Sequence, residues 1–345
     1  MNPLPRRALL AGAGATVVGL AAYPYVRRAL TTPQPVFLAR GQRYDGDLRK
    51  VIRDGLRAVG LSAADFRGRR VLLKPNMVEP NRAAPQMTTH PLVVVAAADV
   101  FRQMGATVRV GEGPGHVKDT EMALVESRLQ EALADARLEF VDLNHDDVVS
   151  VRNRGGLSRL EEMFFPRAVF EADFVVSMPK LKTHHWVGMT AAMKNLYGVM
   201  PGIKYGWPKN VLHHAGIPET VVDINATLPR TLAIVDAIEC MEGDGPIMGT
   251  AKSLGVIAVG QNLPALDATL ARMMDFRPER IGYLQLADGR LGPIDARLIV
   301  ERGEPLRELV TPFAIIDSPG TVGLRATSVG IKTSSHFRCP GAALA

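Results

Sequence analysis

Cysteine is nearly absent from this chain, whose 345 residues include only Cys240 and Cys339. Two thiols cannot supply the four thiolates that bind an iron–sulfur cluster, and they do not make a disulfide framework. One bridge between them is compatible with export, but nothing in their spacing demands it. We therefore expect no iron–sulfur cluster.

Aromatic residues are also scarce, at 6% of the chain, although hydrophobic residues reach 47%. The apolar content is mostly Ala, Val and Leu, which favours strands buried on both faces by helices over a β-sandwich. The length suffices for one large α/β domain or two smaller ones.

No run of basic residues is interleaved with stacking aromatics, even though the formal charge is +6. The lysines and arginines are scattered among acids, unlike those of a protein that binds RNA or single strands. We expect no nucleic acid partner and instead predict a site for a small anion.

Two motifs of common enzyme classes are missing as well. The turn Gly111-Glu112-Gly113-Pro114-Gly115 lacks the pattern of the dinucleotide fingerprint, so it is either a tight loop without a ligand or a phosphate cradle built from backbone N–H groups. Ser177 has no elbow pattern and no adjacent base, which disfavours a serine hydrolase.

The N-terminus carries the pattern of a targeting signal. Arg6-Arg7 precede a weakly apolar stretch at 8–22, and this order resembles a twin-arginine export signal without the flanking Ser or Thr and the following Phe. The cleavage site is poor, and residues 8–26 are about long enough to span a bilayer. We assign residues 1–33 as an export signal or membrane anchor, which predicts a periplasmic protein or one anchored at the outer face of the inner membrane. An ordinary N-terminal helix is the alternative.

Strand and helix patterns alternate through most of the remaining chain. Strands are predicted at 36–39, 70–73, 107–110, 139–143, 174–178, 231–236 and 254–259, and helices at 47–59, 90–104, 120–135, 189–199, 217–228, 263–274 and 278–287. This alternation predicts an α/β fold with a mostly parallel, doubly wound sheet and helices on both faces. The α/β domain is placed at 34–310 and a C-terminal tail at 311–345, with 164–170 as a connector. The segment 186–218, rich in Pro and Gly, is interpreted as an irregular insertion or lid.

Charged side chains follow several of these strands directly. The buried strand at 174–178 runs into Pro179-Lys180-Leu181-Lys182-Thr183-His184-His185, and Lys74-Pro75-Asn76 ends an earlier strand. Ligands of open α/β sheets bind at the carboxyl ends of strands. We therefore expect these groups to meet in one anion-binding cleft.

The predicted roles follow from residue chemistry. Imidazole and amine groups suit acid–base catalysis, cationic and amide groups suit anion binding, and carboxylates suit a divalent metal. The predicted catalytic residues are His184, Lys182 and Lys194, the predicted substrate-binding residues are Lys74, Asn76, Lys180, Asn195 and Gly113, and the alternative metal ligands are Glu239, Glu242 and Asp236.

Taken together, these segments resemble the domain-of-unknown-function family 362. The resemblance spans about residues 71–292, and its most specific part is Pro179-Lys180-Leu181-Lys182-Thr183-His184; the other matching segments are Lys74-Pro75-Asn76, Gly111-Glu112-Gly113, Lys194-Asn195, Asp236-Ala237-Ile238, Glu242-Gly243-Asp244-Gly245-Pro246 and Asp267. It implies a shared polar site but no substrate. Some members carry a ferredoxin module with cysteine ligands, which this chain lacks.

Three functions are compatible with this sequence. The first is an exported enzyme that acts on a small carboxylate or phosphate. The second is a non-catalytic anion-binding or redox-accessory protein. The third is a metal-dependent hydrolase or isomerase of the cell envelope. The sequence leaves the oligomeric state open, along with the choice between enzyme and binding protein.

Overall fold

The computed structural model describes residues 32–318 and 320–326. The predicted signal or anchor therefore lies almost wholly outside the described residues, as does Cys339. Cys240 is buried as a free thiol. Within the described ranges, no helix is both long and apolar enough to cross a bilayer.

A ten-stranded sheet organises the described chain. Its strands are β1 (Gln34–Ala39), β2 (Arg70–Pro75), β3 (Thr107–Glu112), β4 (Glu139–Asp142), β7 (Phe174–Met178), β8 (Lys180–His184), β9 (Gly188–Thr190), β10 (Thr231–Glu242), β11 (Thr250–Gly260) and β12 (Ile299–Gly303). A separate antiparallel pair consists of β5 (Val148–Arg152) and β6 (Glu162–Pro166).

The strand order along the main sheet is β12-β1-β11-β10-β7-β2-β3-β4. Every pair from β10 to β4 is parallel, whereas β11 is antiparallel to both of its neighbours. β8 leaves the main path, pairing parallel with β10 and antiparallel with β9. The prediction of a mostly parallel α/β sheet is confirmed.

Helices cover both faces of this sheet. They are α1 (Leu48–Ala58), α2 (Ala63–Phe66), α3 (Pro91–Gln103), α4 (Thr120–Glu126), α5 (Leu129–Asp135), α6 (Arg167–Glu171), α7 (Ala192–Asn195), α8 (Gly202–Tyr205), α9 (Asn210–His214), α10 (Ile217–Thr227), α11 (Leu263–Met273) and α12 (Gly282–Ala287). Along β2, Val71 and Leu73 pack with α1 and α3, whereas Leu72 joins the core that contains α7, α10 and α11. Successive strand residues point to opposite faces, so the sheet separates two apolar cores.

Local signals explain where the main helices begin. The Asp47 side chain accepts a hydrogen bond from the Lys50 N–H at 3.0 Å, which caps α1. Pro91 occupies the first turn of α3, where its missing N–H costs nothing. Gly105, at φ 87°, follows the end of α3 in the left-handed conformation that favours glycine.

Several predicted elements differ from the observed ones. The helix predicted at 120–135 is two helices, because Arg128 adopts a left-handed conformation with φ 59°. The connector predicted at 164–170 contains most of β6 and most of α6, and the helix predicted at 189–199 is β9, α7 and a 3-10 turn, Leu196–Val199. The sequence Lys180–His184, predicted as a polar strand end, is itself the buried strand β8.

The predicted insertion at 186–218 divides into two unlike parts. Residues 187–200 are mostly buried and belong to the core. Only residues 201–218, which include α8 and α9, remain consistent with the predicted lid. Part of the predicted tail also packs on the domain, because Phe313 is buried and its N–H donates to the Met274 carbonyl.

Candidate functional site

A cavity of about 730 Å³, counting the open space at its mouth, lies where β2 and β3 end. The floor comes from the ends of β2 and β3, and the walls come from the chain after β8, from α7 and from the residues around α9. The described residues that line it are Lys74, Asn76, Met77, Val78, Glu112, Gly113, Gly115, His116, His184, His185, Trp186, Thr190, Lys194, Asn195, Tyr197, Gly198, Pro208, Lys209, His213, Pro246 and Ile247.

A buried ion pair forms the floor. Lys74 on β2 and Glu112 at the end of β3 are almost fully buried, and Lys74 Nζ lies 2.5 Å from Glu112 Oε1. Burial lowers the pKa of Lys74 and raises the pKa of Glu112, while each partner opposes the shift of the other. The second oxygen, Glu112 Oε2, is buried and has no hydrogen-bond partner. It is therefore available to exchange a proton with a ligand.

The Asn195 side chain ties this floor together. Its Oδ1 accepts from Lys74 Nζ at 3.0 Å and from Asn76 Nδ2 at 3.1 Å. Its Nδ2 donates to the Lys74 carbonyl at 3.0 Å and to Ser177 Oγ at 3.1 Å. The sequence prediction that Lys74, Asn76 and Asn195 meet at one site agrees with this geometry, although their roles in binding stay predictions.

Lys194 has a different environment from the other lysines of the core. It is partly buried on α7 and lines the cavity, with Nζ 4.1 Å from the centroid of the Tyr197 ring. Within the described chain, Lys194 Nζ makes no hydrogen bond and no ion pair with a carboxylate. Desolvation, together with the positive charge of Lys74, lowers the pKa of Lys194 to about 7.

The carboxylate of Asp267 positions the helix that carries this lysine. Asp267 is fully buried on α11, and it accepts hydrogen bonds from the N–H groups of Ala192 at 2.7 Å and Met193 at 2.9 Å. These are free donors of the first turn of α7, so the carboxylate caps that helix from another element. Lys194 and Asn195 thereby receive a fixed orientation toward the cavity.

Three imidazoles in the cavity wall are held neutral near pH 7. Burial, followed by the charge of Lys194, keeps the pKa of His184 well below its ordinary value and lowers the pKa of His213 to about 4. Burial also lowers the pKa of His116. His184 Nδ1 accepts from the Trp186 N–H at 3.2 Å, which places its proton on Nε2. These rings can accept or relay protons but add no positive charge.

Lys180 does not line the cavity, contrary to its predicted role in substrate binding. Lys180 Nζ lies 2.7 Å from Asp236 Oδ2 and donates to the Tyr44 hydroxyl at 2.8 Å. Asp236 also accepts from the His90 N–H at 2.9 Å. Both charged groups are almost fully buried, so this cluster joins β8, β10 and the start of α3 within the protein.

Lys182, predicted to be catalytic, also lies outside the cavity lining. Its Nζ donates to the carbonyl oxygens of Met87 at 2.8 Å and Pro246 at 3.3 Å. Burial, reinforced by the charge of Lys180, lowers the pKa of Lys182 well below its ordinary value. The lysines of β8 thus have separate internal partners and do not share an anion between them.

The three carboxylates predicted as metal ligands do not form one group. Asp236 is paired with Lys180, while Glu242 lies 2.8 Å from Lys252 Nζ and accepts from the Ala314 N–H. Across residues 32–318 and 320–326, no cluster of three His, Cys, Asp or Glu side chains has a metal-binding arrangement. Glu239 stands on β10 without joining such a set.

Several lining residues were missing from the predicted site, above all Lys209, Tyr197 and Trp186. Lys209 Nζ donates to Asn144 Oδ1 and to the Met200 carbonyl, and desolvation lowers its pKa to about 8. All three belong to the segment interpreted as an insertion, and Trp186 and Lys209 lie outside any predicted helix, so no regular period indicates which way these two side chains point. The Pro and Gly residues of this segment, such as Pro208 and Gly206, are the sequence feature that indicated a lid.

Comparison with known proteins identifies the family. Residues 71–272 match the family described as "Domain of unknown function (DUF362)", and the chain belongs to it. A thylakoid-associated protein of Synechocystis sp. is 30% identical over 286 residues, which cover 80% of this chain and 85% of the relative.

A solved structure shows a much weaker similarity. The lactate racemase apoprotein from Thermoanaerobacterium thermosaccharolyticum superposes with a TM-score of 0.38 at 15% sequence identity. The superposition covers 60% of this chain and 51% of the racemase, so this chain spans about half of that protein.

Proposed function

We propose that this member of the DUF362 family binds a small carboxylate or phosphate in the cavity and acts on it by acid–base catalysis. The observation that carries this proposal is Lys194, whose amine faces the cavity and has no acidic partner among the described residues. The more deeply buried amines of Lys74 and Lys180 are each paired with a carboxylate.

The balance of charge in the lining supports an anionic ligand. Its lysines are Lys74, Lys194 and Lys209, whereas Glu112 is the sole carboxylate among the described lining residues. Burying unpaired positive charge is unfavourable unless an anion accompanies it. A bound carboxylate or phosphate would meet this requirement and would restore the full charge of Lys194.

Two groups in the lining are suited to proton transfer. Glu112 Oε2 has no internal partner, and burial raises the pKa of this carboxyl, which makes it a candidate to exchange a proton with a bound ligand. The neutral His184 ring provides a second proton carrier in the lining of the cavity. Lys182 is left out of this mechanism, since its amine is held by backbone carbonyls outside the lining.

For the location of the protein, we propose export to the cell envelope with the N-terminal segment as signal or anchor. The paired arginines and the apolar stretch that follows support export. The name of the thylakoid-associated relative supports an association with a membrane. Fractionation of expressing cells, with mass analysis of the mature N-terminus, tests this: recovery in the cytosol with residue 1 intact would contradict it.

Tryptophan fluorescence provides a direct test of anion binding. The chain has two tryptophans, of which Trp186 lines the cavity and Trp207 directly precedes the lining residues Pro208 and Lys209. Titration with oxalate and with phosphate should change the emission of the wild type and reach saturation. Lys194→Met should weaken binding about tenfold or more, because a lost charge-assisted contact is worth about 1.5–3 kcal/mol.

The matched control is Lys204→Met, a substitution of the same type on the exposed face of α8. It should leave both affinities unchanged. Equal affinity in Lys194→Met and the wild type would refute the proposed site. Saturable binding without any turnover of the bound anion would identify a binding protein instead of an enzyme.

A further inference from the structure

We propose that Lys194 is a nucleophile that forms an imine with the carbonyl carbon of a small 2-oxo acid, while neighbouring lysines hold the carboxylate of that acid. This inference rests on the proposed anion site and specifies its substrate class.

The first argument is the freedom of the Lys194 amine. The four almost fully buried lysines, Lys74, Lys180, Lys182 and Lys209, all donate hydrogen bonds to protein oxygen atoms. Lys194, although it borders the same region, makes none within the described chain. Its nitrogen therefore need not break an internal hydrogen bond before it attacks a ligand.

The second argument is the protonation state. An amine attacks a carbonyl only in its neutral form, and lysines reach that form near pH 7 when they are desolvated or lie next to another cation. Both conditions hold here, because burial and the charge of Lys74 lower the pKa of Lys194 to about 7. About half of the molecules carry a neutral Lys194 amine at that pH.

The third argument is that positive charge remains when Lys194 is neutral. Lys74 and Lys209 are the other lysines of the lining, and Glu112, the sole carboxyl group among the described lining residues, has its protonated form favoured by burial. The carboxylate of a 2-oxo acid can therefore be held while the neighbouring amine reacts. The apolar side chains of Met77, Val78 and Ile247 limit water in the lining, which favours a condensation that releases water.

The reaction balances with the groups present. The Lys194 nitrogen lone pair forms a bond to the carbonyl carbon as the C=O π bond opens, and one of the two protons on that nitrogen passes to the oxygen to give a neutral carbinolamine. A proton from the Glu112 carboxyl then allows the C–O bond to break, so that the oxygen leaves as water and a protonated imine remains. No oxidant or reductant is consumed.

Reductive trapping tests this inference on the full chain. The protein is incubated with pyruvate and cyanoborohydride, which reduces an imine to a stable secondary amine, and the adduct is located by peptide mass analysis. We expect one adduct, on the peptide that contains Lys194. Lys194→Met should lose it, and the control Lys204→Met should retain it at the wild-type rate.

Two further arms complete the test. Glu112→Gln should slow trapping while leaving Lys194 as the site of modification. Acetone, a carbonyl compound without a carboxylate, should be trapped at least about tenfold more slowly than pyruvate, because it lacks the charged contact. Thermal melting of every variant verifies that it is folded.

The outcomes separate this inference from the proposed function. Saturable oxalate binding that depends on Lys194, with no pyruvate adduct, would overturn the imine and preserve the anion site. Failure to bind oxalate and failure to trap pyruvate would overturn both. Adducts spread over exposed lysines at rates equal to that of Lys194 would also overturn the imine.

Discussion

The lowered pKa of Lys194 makes anion binding depend on pH in a range where ordinary lysines do not titrate. A lysine in water has a pKa near 10.4 and keeps its charge at every pH below about 9. In the cavity, the pKa of Lys194 is lowered to about 7. We therefore predict that the affinity for oxalate falls as the pH rises through neutrality.

The size of this effect follows from linkage. If oxalate binds only to the charged form, the observed affinity is proportional to the fraction of protonated Lys194, which falls about a hundredfold from about pH 6 to about pH 9. This is about 2.7 kcal/mol of binding free energy. Oxalate suits the measurement because carboxylic acids are ionised throughout this range.

The other titratable groups that face Lys194 have different effects. Its charge is coupled to Lys74, Lys182, His116, His184 and His213. Burial lowers the pKa of each of the three imidazoles, so these rings are neutral across the upper part of the range and add no step there.

Lys209, with a pKa lowered to about 8, adds a second and later step. A Lys209→Met variant should remove this step and leave the one near pH 7.

Tryptophan fluorescence titrations at intervals of about one pH unit measure the profile. A flat profile up to about pH 9 would refute the reasoning, because it would show that Lys194 keeps an ordinary pKa or does not contact the anion. Trapping of pyruvate should show the opposite trend below neutrality, since its rate increases with the neutral fraction of the same amine. Parallel profiles in the two assays would refute the assignment of both to Lys194.

Three further predictions concern stability and shape. Lys180→Met should destabilise the fold by about 3–5 kcal/mol in urea denaturation, because it leaves the buried Asp236 carboxylate without its cation. The control Lys50→Met, at the exposed pair with Asp54, should have little effect, and equal denaturation midpoints for the two variants would contradict this prediction. Gly198→Ala should weaken oxalate binding and lower the free energy of unfolding by about 1–3 kcal/mol, because an added Cβ would lie 2.5 Å from Lys74 Nζ. The control Gly115→Ala, which adds a Cβ to open space in the same cavity, should change neither quantity. Asn195→Ala should lower stability by about 1–3 kcal/mol by leaving buried polar groups unpaired, and an unchanged melting temperature would disprove that role.

Part of the site could be predicted because ligands of open α/β sheets bind at the carboxyl ends of the strands. Lys74 and Asn76 follow a buried apolar run, and the parallel pairing of β2 with β3 and β7 brings them to one edge with Gly113. The run of apolar residues fixes each strand, and the side chains directly after it must then lie at the same end of the sheet.

The same rule failed for Lys180 and Lys182 because the chain does not turn away after β7. It continues as β8, whose pairing with β10 places Lys180 beside Asp236, 56 residues later in the sequence. Two lysines in alternate positions indicate a charged face, but local spacing cannot show that a distant carboxylate or carbonyl already serves each of them. The partners are a property of the tertiary structure.

The helix predicted at 189–199 shows a similar limit. Its apolar residues fit a helical period, but Gly188 adopts φ 85° and the next residues pair with β8 as a short strand. Tertiary pairing overrides local propensity here. The helical turn that remains, α7, is fixed from outside by the Asp267 carboxylate.

The cavity is assembled from stretches of chain that are far apart in sequence, from Lys74 in β2 to Ile247 after β10. No short segment of the polypeptide contains Lys194, Glu112 and the remaining residues of the cavity wall together. During biosynthesis, the unusual amine can therefore arise only after the central strands have found one another. The rate at which an amine-reactive label modifies Lys194 at neutral pH would consequently report when folding is complete.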